Sequence, residues 1–401
     1  MKSTGIVRGI DALGRIVLPK ELRTSMHLDT DTKLEIFVDG DSIVLKKHRP
    51  AGSCDFCGEV DESSVQFAGY CICPACRPQD RCTVKHKKGG SAMSQMIDFT
   101  VPSTVPGRTL HAFRCVPEGE VKAVLQLSHG MVEFIDRYKP LAEYLAGRGI
   151  LVTGHDHLGH GGSIRTKADY GYFAEPDGNR AVLADLHAMT VRTKELYPGV
   201  PYFLLGHSMG SFYARQYLCE YGHELDGAII MGTGFQPKAL VQFAKTLCRV
   251  LAAFHGWQYR SKFVANMSFM GYNKGLEGRT THDWLNRDQA EVDKYLADER
   301  CTFTFTLNAY YSMFSGILRL HDPAFLAKMP KDLPLLFLAG DADPVGEQGK
   351  GVQRAIQSLK DAGVQNIECK LYPGARHELL VETNHQEVFE DIGSWLEKHL
   401  A

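Results

Sequence analysis

The sequence predicts an α/β fold over most of the chain, preceded by a small β-rich segment. From about residue 97 onward, short and strongly apolar runs end in Gly, Ser or His and alternate with longer segments of helical character. Buried strands that alternate with helices are typical of a parallel sheet covered by helices on both faces. The first fifty residues instead alternate apolar and polar residues in short runs, which is typical of half-buried strands.

The composition is that of an ordinary globular protein. The 401 residues are 44% hydrophobic and 23% charged, with a net charge of −2, which excludes wholesale disorder and argues against a protein that coats nucleic acid along its whole surface. No stretch approaches 18 uncharged apolar residues and the first residues hold no long apolar run, so we expect neither a membrane span nor a signal peptide. The odd count of 11 cysteines, six of them between Cys54 and Cys82, favours a reducing, cytoplasmic location.

Changes of composition divide the chain into four predicted segments. Residues 1–50 form the β-rich segment, and residues 51–83 are rich in cysteine and poor in aliphatic side chains. Residues 84–96 form a polar, basic stretch with the composition of a flexible linker. Residues 97–401 carry the alternating strands and helices, and residues 232–325 within them form an insertion between two predicted strands.

The β-rich segment reads as four short strands and one helix. Asp39-Gly40 between the last two strands is a strong hairpin signal, because glycine adopts positive φ without steric cost. A segment of fifty residues in short strands buries too little apolar surface to be stable alone. We therefore expect it to dimerise. The predicted elements are the strands Ile6–Ile10, Gly14–Leu18, Leu34–Val38 and Ser42–Leu45, and the helix Pro19–Met26.

The run Met1–Arg23, "MKSTGIVRGIDALGRIVLPKELR", closely resembles the AbrB/SpoVT family of bacterial transition-state regulators. The resemblance covers essentially residues 1–50 and implies a swapped-hairpin dimer that binds DNA through Arg8, Arg15 and Arg23. Thr24 stands where relatives often carry a further arginine. The alternative is a dimerisation module whose arginines are merely solvated.

Two CxxC pairs in the second segment predict a structural zinc site. Cys54 and Cys57 are separated from Cys73 and Cys76 by fifteen residues, a spacing typical of four-cysteine zinc sites. The metal would supply folding free energy that so short a segment lacks. The neighbouring Cys71 and Cys82 could replace a ligand, and the alternatives are free thiols or a redox pair.

A serine nucleophile is predicted in the α/β segment. The motif Gly206-His207-Ser208-Met209-Gly210 follows an apolar run and precedes a helical segment, which is the strand–turn–helix context of a nucleophile elbow. The flanking glycines allow the backbone to turn sharply and leave the Ser208 hydroxyl exposed. The motif alone is weak evidence for a nucleophile. The candidate base and acid that follow it in the chain strengthen the prediction.

The base and the acid follow in the chain order Ser, Asp, His. His377 follows the predicted strand Ile367–Leu371 and is the candidate general base, since a serine hydroxyl needs one. Asp343 follows the predicted strand Leu335–Ala339 and is the preferred orienting acid. Asp341 is the competing acid, with a turn-capping carboxylate as its alternative role.

A tetrahedral intermediate also needs two backbone N–H donors. The first candidate is the amide of Met209, directly after the nucleophile. The second is the amide of Met131, in the loop after the apolar run that ends at Leu127.

Five motifs in order resemble the monoacylglycerol lipase and lysophospholipase branch of the α/β-hydrolases, namely "HGMVEFIDRY", "DHLGHGGS", "GHSMG", "GDADPV" and "YPGARHELLVE". The resemblance covers most of residues 97–401 and implies ester hydrolysis on a single-chain lipid without a catalytic cofactor. It implies a structural pair of Glu133 with Arg137. His157 and His160 are expected to be structural, because the motif places no third metal ligand beside them.

In such hydrolases the insertion 232–325 is the cap over the active site. Its apolar side chains could form the cap's own core, or an acyl-chain channel with a mouth that contacts a membrane. Three hypotheses remain open: an esterase that carries a DNA-binding domain, a regulator that senses lipid, and a fusion of two genes without coupling. The apolar cap residues are Phe243, Leu247, Leu251, Phe254, Phe263, Met267, Phe269, Met270, Tyr310, Tyr311, Met313 and Phe314.

Overall fold

The computed structural model describes residues 34–39, 42–47, 65–67, 70–72 and 94–400. The chain divides into two compact units, residues 1–90 and residues 91–401. Several predictions lie outside the described residues: the first two strands, the helix Pro19–Met26, the arginines Arg8, Arg15 and Arg23, and the cysteines Cys54, Cys57, Cys73 and Cys76.

Two antiparallel hairpins are described in the first unit. Strand β1 (Leu34–Asp39) pairs with β2 (Ser42–Lys47), and Asp39 stands opposite Ser42. The hairpin predicted from Asp39-Gly40 is therefore confirmed. Strand β3 (Val65–Phe67) pairs with β4 (Tyr70–Ile72) in the cysteine-rich segment.

The second unit is built on one eight-stranded sheet. Its strands follow the order β12-β11-β10-β9-β7-β8-β6-β5. The predicted strands Leu335–Ala339 and Ile367–Leu371 are confirmed, with small extensions at their ends, and the apolar runs before Ser128 and Gly206 are also strands. The strands are β5 (Ser94–Pro102), β6 (Thr109–Pro117), β7 (Ala123–Ser128), β8 (Ile150–His155), β9 (Tyr202–His207), β10 (Gly227–Met231), β11 (Leu335–Gly340) and β12 (Ile367–Tyr372).

The predicted parallel sheet is confirmed for six strands, and the two strands at one edge pair antiparallel. Strands β5 and β6 are antiparallel to each other, and β6 is antiparallel to β8. The short connection from Pro102 to Thr109 explains the antiparallel pairing of β5 with β6, because parallel neighbours need a crossover of a dozen or more residues. The remaining neighbours are parallel.

Helices cover both faces of the sheet. Neighbouring strand residues point to opposite faces, so Val124 joins one apolar core and Leu125 the other. Both cores are built from buried apolar side chains, which explains why the strands between them are continuous apolar runs in the sequence. The α-helices are α1 (Lys139–Ala146), α2 (Gly178–Leu196), α3 (Met209–Tyr221), α4 (Lys238–His255), α5 (Lys262–Ser268), α6 (Gln289–Ala297), α7 (Leu307–Arg319), α8 (Pro323–Leu326), α9 (Lys350–Asp361) and α10 (His385–Lys398).

Five of these helices, α4 to α8, lie in the insertion between β10 and β11. Helix α7 anchors the insertion, because it packs on α4 on one side and on α2 and α3 on the other. Along the stretches that the structure covers, no helix combines the length and apolar character needed to cross a membrane.

Candidate active site

The backbone at Ser208 is strained and places this residue at the end of a strand. Strand β9 ends at His207 and helix α3 begins at Met209, so the turn consists of Ser208 alone. Ser208 has φ +52° and ψ −118°, a left-handed conformation that L-residues rarely adopt. A side chain at Gly210 would collide with the carbonyl oxygen of Ser128, so only glycine fits there.

The three predicted triad side chains form one hydrogen-bonded chain. His377 Nε2 lies 2.8 Å from Ser208 Oγ, and His377 Nδ1 lies 2.9 Å from Asp343 Oδ2. Asp343 is fully buried, and its Oδ1 accepts a hydrogen bond from the Val345 amide at 2.9 Å. Asp341 is exposed and accepts from the Gly374 amide, so the competing acid caps a turn, which was its alternative role.

The two amides predicted for an oxyanion hole lie beside the nucleophile. Met209 is the first residue of α3, where an amide has no acceptor within the helix. Met131 lies in the turn after β7, and a Cβ at its neighbour Gly130 would come within 3.1 Å of Ser208 Cβ. Within the part of the chain that the structure describes, neither amide donates to a protein acceptor.

A buried ion pair connects the loop of Met131 with the loop of the base. His207 Nδ1 lies 3.0 Å from Glu133 Oε1, and His207 Nε2 lies 3.2 Å from the carbonyl oxygen of His377. Both partners are acceptors, so both ring nitrogens must carry protons. Burial alone lowers the pKa of His207, but the hydrogen bond and charge of Glu133 outweigh it and raise this pKa.

Glu133 is the centre of this network. Burial favours its neutral form, but the hydrogen bond and charge of His207 and the charge of Arg137 hold its pKa well below the usual range. The amide of Gly130 and the hydroxyl of Tyr138 also donate to Oε1, at 2.5 and 3.0 Å. The carboxylate therefore fixes the backbone directly before Met131.

Arg137 links Glu133 to a second carboxylate. Its Nη1 lies 3.0 Å from Glu133 Oε2, as the family resemblance implied. Its guanidinium also forms a bidentate pair with Glu378, at 2.6 and 2.8 Å. Two positive and two negative side chains thus balance one another beneath the triad, which buried charges require.

Three buried histidines, His129, His157 and His160, form hydrogen bonds around the loop that carries Met131. His129 donates from Nδ1 to the Gly130 carbonyl at 2.8 Å, and its Nε2 accepts from the His157 amide at 2.9 Å. His160 Nε2 accepts from the Val132 amide at 3.3 Å, while its Nδ1 donates to Leu158. A ring that accepts through one nitrogen is neutral, and burial accordingly lowers the pKa of His129 to about 3 and that of His160 to about 4.

The cap contacts both catalytic loops. Trp284 lies over His377, with 5.2 Å between the ring centroids, and is nearly buried. Arg376 donates to the backbone carbonyls of Asp283 and Asn286. On the other side, the Tyr295 hydroxyl donates to the Val132 carbonyl at 2.9 Å. The sequence did not single out Trp284 or Tyr295 because their roles arise from tertiary packing.

Among the residues that the structure describes, one cluster outside this site has the ligand types of a metal site. Asp98, His111 and Asp136 bring their ligand atoms close together. However, Lys139 Nζ lies 2.8 Å from Asp98 and 3.1 Å from Asp136, so an ammonium group already neutralises the carboxylates. The cluster is explained as a surface charge network.

The fold and the Ser–His–Asp geometry define the class of an α/β-hydrolase, and the comparisons with known proteins agree. A family profile described as serine aminopeptidase, S33, matches residues 119–384. A profile described as antidote-toxin recognition MazE, bacterial antitoxin, matches residues 10–53. The chain therefore belongs to the S33 serine hydrolase family, and its N-terminal segment to the AbrB-like family.

Individual relatives support both assignments. Monoglyceride lipase of Mus musculus is 31% identical over 302 residues, covering 71% of this chain and 86% of the mouse protein. The transition state regulatory protein AbrB of Bacillus subtilis (strain 168) is 48% identical over 69 residues, covering 17% of this chain and 72% of AbrB. The crystal structure of a thermostable carboxyl esterase from Bacillus coagulans is 26% identical with a TM-score of 0.71, covering 76% of this chain and 99% of the esterase. The chain is a fusion of an AbrB-like domain and a monoglyceride lipase-like hydrolase domain.

Proposed function

We propose that the hydrolase unit cleaves carboxylic esters through an acyl-enzyme. Ser208 Oγ attacks the ester carbonyl carbon while His377 Nε2, 2.8 Å away, takes the hydroxyl proton. Asp343 holds the Nδ1 tautomer and stabilises the imidazolium that forms. The hydrogen-bonded chain of these three side chains is the observation that carries the proposal.

The remaining steps use the same groups. The amides of Met131 and Met209 stabilise the oxyanion of the tetrahedral intermediate, which then collapses with cleavage of the C–O bond. The leaving alcohol receives the proton from His377 and departs. A water molecule then attacks the acyl-enzyme, His377 takes its proton, and Ser208 recovers that proton when the carboxylic acid leaves.

The charge balance of the site favours an ester substrate over a peptide substrate that has a free N-terminus. An aminopeptidase must bind the substrate's α-ammonium group, and a carboxylate is the usual partner. Glu133 and Glu378 lie beside the triad, but His207 and Arg137 already neutralise both. Neither carboxylate is available for a substrate cation.

An ester and an amide with the same reporter group separate these reactions. We expect the full chain to hydrolyse p-nitrophenyl butyrate and to leave alanine p-nitroanilide intact. Ser208→Ala keeps the fold and removes the nucleophile, so it supplies the background rate. Turnover of the anilide at or above the ester rate would contradict the proposal, and so would ester turnover that Ser208→Ala retains.

A single-chain lipid ester is the proposed substrate class. The mouse relative is a monoglyceride lipase, and the cap of this chain exposes a stripe of apolar side chains. The other face of α4 is buried through Val241, Ala244 and Cys248, so the helix is apolar on two sides. The exposed apolar residues of the cap are Leu240, Phe243, Val250, Phe254, Tyr259, Phe263, Phe269 and Met270.

We further propose that this stripe touches the lipid surface that delivers the substrate. Residues 227–276 contain six Lys or Arg and no Asp or Glu, so an anionic surface is favoured. Phe254 is 81% exposed and Met270 78%, and both would be buried by lipid contact. Phe254→Ser with Met270→Ser should lower sedimentation with phosphatidylglycerol vesicles and leave p-nitrophenyl butyrate turnover unchanged. Equal vesicle binding of the variant would contradict the contact.

For the first unit we propose a dimer that binds duplex DNA through Arg8, Arg15 and Arg23. Its AbrB relative is a transition state regulatory protein, and the family resemblance of the run Met1–Arg23 implies DNA binding. Binding measured by fluorescence anisotropy should weaken log-linearly with salt, and Arg15→Ala should reduce the salt slope by about 2, because the dimer loses one phosphate contact from each protomer. Absence of binding at low salt would leave only the role of a dimerisation module.

We also retain the proposal of a structural zinc ion on Cys54, Cys57, Cys73 and Cys76. The described hairpin supports it, because Val65 pairs with Ile72 and Cys73 follows Ile72 directly. The chain therefore enters and leaves the hairpin at neighbouring points, and the two CxxC pairs flank those points in sequence. Zinc held by four thiolates would stabilise this segment without taking part in ester hydrolysis.

A further inference from the structure

Val132 has an unusual backbone conformation directly after the proposed oxyanion donor. Its φ is +56°, in the left-handed region that glycine adopts freely. A β-branched side chain is disfavoured there, so surrounding contacts must hold the conformation. A return to negative φ would rotate the peptide that joins Met131 to Val132, and Met131, whose own amide is the proposed donor, would be displaced relative to Ser208.

Two hydrogen bonds hold Val132 from opposite sides. Its amide donates to His160 Nε2 at 3.3 Å, from the loop after β8. Its carbonyl accepts from the Tyr295 hydroxyl at 2.9 Å. Tyr295 lies on α6 and therefore belongs to the cap, whereas His160 belongs to the body of the fold.

The Tyr295 hydroxyl is well placed for this contact. The side chain is nearly buried, and its ring packs against the Arg137 guanidinium, with 5.2 Å from the guanidinium carbon to the ring centroid. Burial raises the pKa of Tyr295 well above its ordinary value, so the hydroxyl remains a donor. Phe134 lies two residues after Val132 in the same loop. The guanidinium carbon of Arg300, a cap residue, lies 3.7 Å from the centroid of its ring, which gives the cap a second contact with this loop.

We propose that Tyr295 is a positioning residue, which holds Val132 in its left-handed conformation and thereby keeps the Met131 amide in the oxyanion hole. The inference rests on the proposed ester hydrolysis, in which Met131 is a donor. Its consequence is that the cap completes the oxyanion hole as well as covering the site. If α6 moved away, Val132 would lose one of its two hydrogen-bond partners. The Met131 amide would then no longer be held in the oxyanion hole.

A double-mutant cycle on the full chain tests this role. Tyr295→Phe removes the hydroxyl and keeps the ring, and Val132→Gly removes the strain that the hydroxyl must oppose. With p-nitrophenyl butyrate, Tyr295→Phe should lower kcat about tenfold with little change in KM, because a displaced oxyanion donor acts on the transition state. In the Val132→Gly background the same change should cost less than about twofold, since glycine holds positive φ freely.

Rates are normalised to active sites titrated with a fluorophosphonate, so that a loss of folded protein does not count as a loss of kcat. Tyr221→Phe is the matched control, because this tyrosine is the last residue of helix α3, at the end opposite Ser208, and its activity should equal that of the wild type. An unchanged kcat in Tyr295→Phe would overturn the proposal. An equal loss in both backgrounds would also overturn it. A wild-type rate no higher than that of Ser208→Ala would instead reject the proposed ester hydrolysis itself.

Discussion

His207 Nδ1 lies 3.0 Å from Glu133 Oε1, directly beneath the nucleophile, and this contact joins two loops that are distant in sequence. Glu133 holds the loop of Met131 through the Gly130 amide, and His207 holds the loop of His377 through its carbonyl. The pair therefore sets the distance between the proposed oxyanion hole and the base.

Removal of one charge from the Glu133–His207 pair should lower the stability of the fold. We expect Glu133→Gln to lower the free energy of unfolding by about 3 kcal/mol, because it leaves a buried imidazolium without its counter-charge. Unfolding can be followed by tryptophan fluorescence, since Trp257, Trp284 and Trp395 all lie in the hydrolase unit. The control is Glu368→Gln, at an exposed pair with Lys398, where a change below about 1 kcal/mol is expected. Equal effects of the two substitutions would refute this account of the network.

Two neighbouring aspartates should respond differently to the same substitution. Asp343→Asn removes the carboxylate that orients His377 and should lower kcat on an ester by about 10⁴-fold. Asp341→Asn changes an exposed residue that caps a backbone amide and should stay within about twofold of the wild type. Steady-state kinetics of both variants decide the assignment, and a larger loss in Asp341→Asn would reverse it.

The buried histidines should make the hydrolase unit unstable in acid. Burial lowers the pKa of His155 to about 4, and neither ring nitrogen has a protein partner within the described residues. In the unfolded chain, His155 binds a proton near pH 6.5. In the folded state it stays neutral until the pH falls to about 4. This contribution to stability is therefore present above pH 6.5 and is lost as the pH falls below it. His129, His157 and His160 also have lowered pKa values and act in the same direction.

His155→Leu isolates one of these contributions. The stability of the variant relative to the wild type should improve by about 2 kcal/mol between pH 7.5 and pH 5, because the variant no longer rejects that proton. The exposed His223→Leu should show no such improvement. Urea unfolding at the two pH values, followed by tryptophan fluorescence, provides the measurement. Parallel pH dependence of His155→Leu and the wild type would disprove the assignment.

Zinc content tests the cysteine-rich segment separately from the hydrolase. Metal analysis of the purified chain should give about one zinc ion per chain. Cys76→Ser should lose the metal, whereas Cys369→Ser, an exposed cysteine of the hydrolase unit, should keep it. Ester hydrolysis should be unaffected in both variants. Full zinc retention by Cys76→Ser would remove this residue from the proposed ligand set.

The strands and the triad were predictable because their signals are local. Each triad residue lies within five residues of the end of a strand, namely β9, β11 or β12, and the end of a buried strand is visible in the sequence as a change from Leu or Ile to Gly, Asp or His. Asp343 could be preferred over Asp341 from its loop position, and the structure places Asp343 on His377. The antiparallel edge was missed because β5 begins at Ser94, inside the stretch 84–96 assigned to a linker, and because β5 alternates half-buried with exposed residues rather than forming an apolar run.

The contacts that surround the triad could not be predicted in the same way. The charge of His207 depends on Glu133, which is 74 residues away in sequence. Tyr295 and Trp284 come from the cap, whose helices show apolar residues on more than one face and no period that assigns them to a site. The left-handed φ of Val132 gives no sequence signal, because valine is a residue that normally argues against it.

Hydrolysis of a monoacylglycerol by the full chain tests the central claim most directly. Purified wild-type protein should release free fatty acid from a 1-monoacylglycerol with saturable kinetics, and Ser208→Ala at the same concentration should release none above the uncatalysed rate. Fatty acid release by Ser208→Ala at the wild-type rate would contradict the catalytic role of the Ser208–His377–Asp343 chain. No release by a folded wild-type protein that does hydrolyse p-nitrophenyl butyrate would contradict the lipid substrate alone.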